Sequence, residues 1–283
     1  CKLNNYSEIN KVFTRSSLKN LIEEGTSESY ENCIEQFVKP TRLMKNHDIL
    51  QILYNVLDKN YRNEYYYKNT LLNKLLLGTH SLNTSAAISE LPVRRSKADF
   101  ILVNGNSEVF EIKTELDTLD RLPLQIEDYY KVFPLVSVLT SETNYYKVYQ
   151  LFKGSNIGIK ILTRRNTISI KKEPLPNFEQ LDSISIFKVL RKSEFEHIIT
   201  TKIGSLPQVN QFDYYKECME LFTTIPIREL QTELNRILKK RIIISNRLFN
   251  TIVPMELKSL AYFSNFTDDE LLKMDMFLQN EWR

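Results

Sequence analysis

Glycine and proline are scarce in this chain, 6 and 9 of 283 residues, which excludes collagen-like and low-complexity architectures. Cysteine is scarcer. Cys1, Cys33 and Cys218 are odd in number and far apart, so neither a disulfide framework nor a thiolate metal site is expected, and a reducing, cytoplasmic setting is the default. His47, His80 and His197 share no ligand spacing. No apolar run approaches the roughly 18–20 residues of a membrane span, and the polar, Asn-rich start has no signal-peptide core, so no membrane partner is expected. Charge of one sign is also missing: 38 Lys+Arg against 35 Asp+Glu leave a formal +3, and any nucleic-acid surface must be local. What is present is 42% hydrophobic residues, with 15 Tyr and 15 Phe, enough for a large packed core.

Residues 1–45 are polar and interrupted and read as a loosely attached arm or short helices. From His47 onward Ile49, Leu50, Ile52, Leu53, Val56 and Leu57 form one helical stripe, and Leu71, Leu72, Leu75 and Leu76 form another. Between them Tyr61, Tyr65, Tyr66 and Tyr67 alternate with Lys59, Arg62 and Lys68 in a tyrosine-rich connection. That pattern suits nucleic-acid stacking, but packing at a core edge is the commoner use.

Between about 80 and 172 the period falls from 3.6 toward 2. Ser81 to Glu90 reads as a short helix stopped by Leu91-Pro92. Asp99–Val103 and Glu108–Lys113 are strand-like runs around an Asn104-Gly105-Asn106-Ser107 turn. A helix over Leu124–Phe133, a strand over Pro134–Thr140, a helix around Asn144–Phe152 and strands at Ile157–Leu162 and Ile168–Lys171 complete an α/β pattern. Glu173–Asn177 is the linker candidate, and the remainder is mostly helical. The expected organisation is an arm (1–45), an α/β domain (46–173) and a helical C-terminal domain (178–283).

The chemistry concentrates in Glu111-Ile112-Lys113, where an i, i+2 spacing on a strand puts carboxylate and ammonium on one face. Asp99 on the partner strand adds a second carboxylate only in one register. An even loop centred on Gly105-Asn106 turns Asp99 away; an odd loop or a bulge aligns it with Glu111 or Lys113. An odd loop or bulge is therefore predicted. Two hard oxygen ligands on one face suit Mg²⁺ or Mn²⁺. Glu90, at the end of its expected helix, fits either a third ligand or a solvated helix end. Arg94, Arg95 and Lys97 fit either a solvated loop or a basic approach to phosphate. Gln125 and Tyr129, spaced i, i+4, present amide and phenol on one helix face. Asp117, Asp120 and Arg121 lie between strand and helix as second-line groups or helix-start charges. Lys239-Lys240-Arg241 ends a strong helix, where cations complement the dipole.

Glu90, Asp99, Glu111-x-Lys113 and Gln125-x-x-x-Tyr129 resemble, in order and setting, the PD-(D/E)XK nuclease superfamily. The run from Arg94 to Phe133 is similar to a widespread bacterial and phage family placed in that superfamily; Ala98 stands where a Pro often precedes the Asp. The resemblance implies a restriction-endonuclease-like αβββαβ core. It further implies that Asp99, Glu111, the Ile112 carbonyl and Glu90 hold Mg²⁺ or Mn²⁺, that Lys113 positions the attacking water, and that Gln125 and Tyr129 orient the substrate strand. The expected activity is metal-dependent phosphodiester hydrolysis, DNA favoured, in a phage or defence setting. The alternative is a non-catalytic nuclease-fold module that binds nucleic acid, or a protein partner through the helical C-terminal region.

Overall fold

A computed structural model describes residues 6–78, 84–244 and 246–282; Cys1 and His80 lie outside them. The chain divides into two compact units, Asn83–Arg241 and a second one formed by Cys1–Leu82 with Ile242–Arg283. This division differs from the expected boundaries. The C-terminal helices do not form a domain of their own: those up to Lys240 belong with the sheet, and the later ones with the N-terminal helices.

The Asn83–Arg241 unit is built on a six-stranded mixed sheet. Its strands, in chain and spatial order, are β1 (Ala86–Val93), β2 (Ser96–Asn104), β3 (Asn106–Lys113), β4 (Leu135–Ser141), β5 (Gly158–Leu162) and β6 (Ile168–Lys172). β1, β2 and β3 form an antiparallel meander, β3, β4 and β5 run parallel, and β6 returns antiparallel. The parallel steps need crossovers, supplied by α1 (Leu122–Tyr130) and α2 (Tyr145–Phe152). Pro123 sits in the first turn of α1, where its missing N–H costs nothing. β4 and β5 are near-continuous buried apolar runs, with Val136, Val138, Leu139, Ile159 and Ile161 inside, as strands covered on both faces require.

The helix expected over Ser81–Glu90 is not formed by the described part of that segment: Ala86–Val93 is β1. Pro92 does not break it, because β1 is an edge strand and a missing N–H is tolerated there. The odd β2–β3 connection predicted by counting is the one the chain makes. Asn104 pairs with Asn106 around Gly105, whose φ of +72° is the left-handed region glycine enters without steric cost.

Four further helices belong to this unit: α3 (Ser183–Val189), α4 (Lys192–Ile203), α5 (Gln211–Thr223) and α6 (Ile227–Lys240). α6 buries Leu230, Leu234, Ile237 and Leu238, a stripe at helical spacing. It is tied to the β2–β3 turn by Gln231 Nε2 donating to Ser107 Oγ at 3.0 Å and Asn235 Nδ2 donating to the Gly105 carbonyl at 3.1 Å.

The other unit joins the two ends of the chain. Strands Met44–Lys45 and Glu281–Trp282 pair antiparallel, and Asn46 Nδ2 donates to the carbonyls of Phe277 and Asn280 at 3.0 and 3.1 Å. The N-terminal segment forms packed short helices here, with Ile9, Leu18, Leu21 and Tyr30 buried. Tyr65, Tyr66 and Tyr67 lie within the helix Glu64–Leu71 rather than in a connection. Tyr66 and Tyr67 are buried, Arg62 pairs with Asp58 and Lys68 with Glu64. The aromatic–basic pattern is amphipathic packing. Among the described residues no helix is long and apolar enough to cross a membrane.

Candidate active site

The site grows from strand register. β2–β3 pairing runs from the turn to Phe100 opposite Phe110, and one further step sets Asp99 across from Glu111. On the other side β1–β2 pairing is regular at Ser89–Phe100 and Leu91–Ala98 and skips the step between, which sets Glu90 beside Asp99. Glu90, Asp99 and Glu111 therefore occupy one row across three adjacent strands. Glu90 is a strand residue, not a helix end, and its φ of +57° is a left-handed conformation that a side chain adopts only at a cost. A carboxylate oxygen of Glu90 lies within 4.8 Å of one of Asp99.

Where the β2–β3 ladder stops, Asp99 Oδ2 accepts the Ile112 N–H at 2.8 Å, so the aspartate side chain takes over an amide that main-chain pairing no longer uses. Glu111 is fully buried. Its Oε1 receives Lys113 Nζ at 2.7 Å and its Oε2 lies 2.6 Å from the Tyr129 hydroxyl. Lys113 is itself 12% exposed, so a buried acid is held by a cation on its own strand and a donor from α1. Thr140 Oγ1, on neighbouring β4, donates to the Lys113 carbonyl at 2.8 Å and fixes the end of β3. Burial, and next the charge of Glu111, push the Tyr129 phenol far above its ordinary value; it stays a proton donor at every working pH. One turn earlier on the same face, Gln125 Oε1 is buried and accepts no hydrogen bond among the described residues.

The basic approach expected from Arg94, Arg95 and Lys97 is already neutralised in part. Arg94 Nε lies 3.2 Å from Asp128 Oδ1, Arg95 donates to the same oxygen at 2.9 Å, and Ser96 Oγ donates to Oδ2 at 2.9 Å. Burial alone would raise the Asp128 carboxyl; hydrogen bonds from Arg95 and Ser96 outweigh it and hold it below the usual carboxylate range. Asp128 thus pins α1 to the β1–β2 turn. Lys97 Nζ pairs with Glu90. Asp117 accepts from Thr114 N and Oγ1 at 2.8 and 2.7 Å and shapes the turn after β3.

Sequence reasoning passes over Asp128, which adjoins Tyr129 with no motif to mark it, and a second buried cluster. Lys160 Nζ, over the Phe110 ring at 4.4 Å, pairs with Glu108 Oε1 at 2.6 Å, and Ser137 Oγ donates to the same oxygen at 2.5 Å. Strand alternation puts Glu108 on the face opposite Glu111. A lone Lys in the β5 apolar run, Ile159-Lys160-Ile161, is the one sequence signal for it.

An all-oxygen set of Asp99, Glu111, Glu90 and the Ile112 carbonyl suits a hard divalent ion such as Mg²⁺ or Mn²⁺. Two observations bear on the fit: carboxylate oxygens of Glu90 and Asp99 lie within 4.8 Å of one another, close enough for one ion to touch both, and the buried Gln125 oxygen, on the helix face that carries Tyr129, lacks a donor.

The model of the family described as "Bacteriophage P4 protein cII" matches residues 57–261, which takes in the whole sheet unit. No curated protein and no solved structure matches the chain.

Proposed function

The chain belongs to the bacteriophage P4 protein cII family, a description that names no activity, and from the carboxylate row we propose that it is a divalent-metal-dependent nuclease, with DNA the favoured substrate. The single observation that carries this reading is the juxtaposition of Glu90, Asp99 and Glu111 across three strands, with Lys113 Nζ 2.7 Å from Glu111. The order β1–β2–β3–α1–β4 supports a restriction-endonuclease-like core, the βββαβ part of the pattern that the resemblance implies.

In this reading Asp99, Glu111, Glu90 and the Ile112 carbonyl hold Mg²⁺ or Mn²⁺. The bound cation supplies Lewis-acid stabilisation of the negative charge that builds on the phosphoryl oxygens. Lys113 adds a fixed positive charge beside the attacking water and orients it. The Tyr129 hydroxyl holds Glu111 in place through Oε2. Gln125 offers its unpartnered oxygen to a water or to the substrate strand. Arg94 and Arg95 retain partial exposure, 40% and 56% of their side chains, and with Lys97 contact phosphate at the edge of the row.

The test is calorimetric titration of Mn²⁺ into the wild type, Asp99→Ala and Glu111→Gln, with plasmid and single-strand cleavage assays on the same samples. Expected are metal binding by the wild type, its loss in both variants, and a fall in cleavage of at least about a hundredfold. Absence of metal binding and of cleavage in the wild type would overturn the reading. One observation favours the non-catalytic alternative in its protein-binding form: Arg94, Arg95 and Lys97 are engaged by Asp128 and Glu90, which limits the free positive charge available to draw in a duplex.

A further inference from the structure

A second site lies at the junction of α4 and α6, in a pocket of about 320 Å³ lined by Arg191, Glu194, His197, Arg236, Lys240 and Arg241 among others. Four of these six carry a permanent positive charge, and the one carboxylate is spent internally. Arg241 donates to both oxygens of Glu194, at 2.8 and 2.5 Å, and the Arg191 N–H donates to Oε2 at 2.7 Å. Burial would raise the Glu194 carboxyl, but the Arg241 contact outweighs it and keeps it below the ordinary range, so the pair stays ionic and neutral overall. Arg236 divides its guanidinium between Glu233, at 2.7 Å, and His197 Nε2, to which it donates at 2.9 Å. Neither Arg191 nor Lys240 is in an ion pair among the described residues. Two cations outside any ion pair therefore face one pocket, Lys240 and Arg191, the latter also lowering the Glu194 carboxyl by its charge, and the first-turn amides of the 12-residue α4 add their partial positive charge from the same end.

We infer that this pocket binds a phosphate group, carried either by a nucleic-acid backbone or by a free nucleotide. Guanidinium groups match phosphate oxygens bidentately, and a lysine adds a point charge. The rival explanation, that the terminal cations of α6 only complement its dipole, applies equally to Lys239 and Lys240. Lys240 lines the pocket; Lys239 does not.

That difference defines the experiment. The full chain is titrated in EDTA with pyrophosphate, with ADP and with a short fluorescent duplex, so that the carboxylate row and any metal play no part. Arg191 and Lys240 are exposed, and their alanine variants are expected to keep the wild-type circular dichroism. Arg191→Ala and Lys240→Ala are each expected to weaken binding roughly tenfold, the effect of one charged hydrogen bond, and Lys239→Ala less than about twofold. A loss confined to the duplex assigns the phosphate to nucleic acid, and a loss confined to ADP assigns it to a nucleotide; either supports the site. No binding of any of the three probes, or equal losses for Lys239→Ala and Lys240→Ala, overturns it.

Discussion

The Tyr129 hydroxyl lies between Glu111 Oε2, at 2.6 Å, and the Lys97 carbonyl, at 2.9 Å, and has one proton to give. The carboxylate is the stronger acceptor, so the phenol acts as a fixed donor to the buried acid and the Lys97 carbonyl as a weaker second acceptor. Tyr129→Phe keeps the ring and its packing and removes only the hydroxyl, with its contacts to Glu111 and the Lys97 carbonyl. A partner that orients a metal-binding carboxylate is worth about ten- to a hundredfold in metal affinity. Mn²⁺ titration of Tyr129→Phe is expected to give that loss with circular dichroism unchanged. An unchanged affinity together with a drop in unfolding free energy would reduce the hydroxyl to a packing role. Glu111, Lys113 and Tyr129 were legible in the sequence because i, i+2 on a strand and a polar helix face are local patterns. Asp128 was not, since its partners Arg94, Arg95 and Ser96 are more than 30 residues away and meet it only after α1 folds back on the sheet.

At the scale of elements, register decides whether a site exists at all. Asp99 shares a row with Glu111 because the turn closes around a single residue, Gly105, at φ +72°. A Cβ there would meet nothing within 4 Å, so Gly105→Ala is opposed by backbone conformation alone. It is expected to lower stability by about 1 kcal/mol, and Gly105→Asn by less, because asparagine tolerates the left-handed region better. Urea unfolding of the three proteins checks the order; equal losses would mean that the turn relaxes into another conformation. The same scale explains which elements could be read in advance. β2 and β3 carry apolar residues around a glycine turn, and β4 and β5 are short apolar runs, so their periods are plain. β1 does not read as a strand because Ser89, Glu90 and Pro92 interrupt its alternation. An edge strand accepts a proline, and this one also accepts an aligned acid in a left-handed conformation, two departures from strand propensity that coincide with the candidate site.

At the scale of the molecule, the linear order of segments hid how they group, because the strand Met44–Lys45 finds its partner in Glu281–Trp282, at the far end of the sequence. The unit they close contains a test of its own. Lys258 is buried, donates to the Phe249 carbonyl at 2.9 Å and lies 4.4 Å over the Phe249 ring. Burial pulls its pKa down from 10.5 to about 8. Between those values the unfolded chain holds a proton that the folded one has given up, so the unfolding free energy rises with pH across the window, by at most about 1.4 kcal/mol per unit. Below about pH 8 both states are protonated and the full cost of burying the charge is present. Lys258→Met removes that cost. The variant is expected to be the more stable protein at pH 7.5, with the gap to wild type narrowing toward pH 9.5. Cys33, in the same unit and pushed up to about 12 by burial, acts with the opposite sign above pH 9, but equally in both proteins, and so cancels in their difference. The single tryptophan, Trp282, sits on the closing strand of this unit, and its fluorescence during urea unfolding follows this unit directly. A gap that stays constant from pH 7.5 to 9.5 would mean that Lys258 keeps its charge when folded, with the Phe249 carbonyl and ring replacing the water it lost.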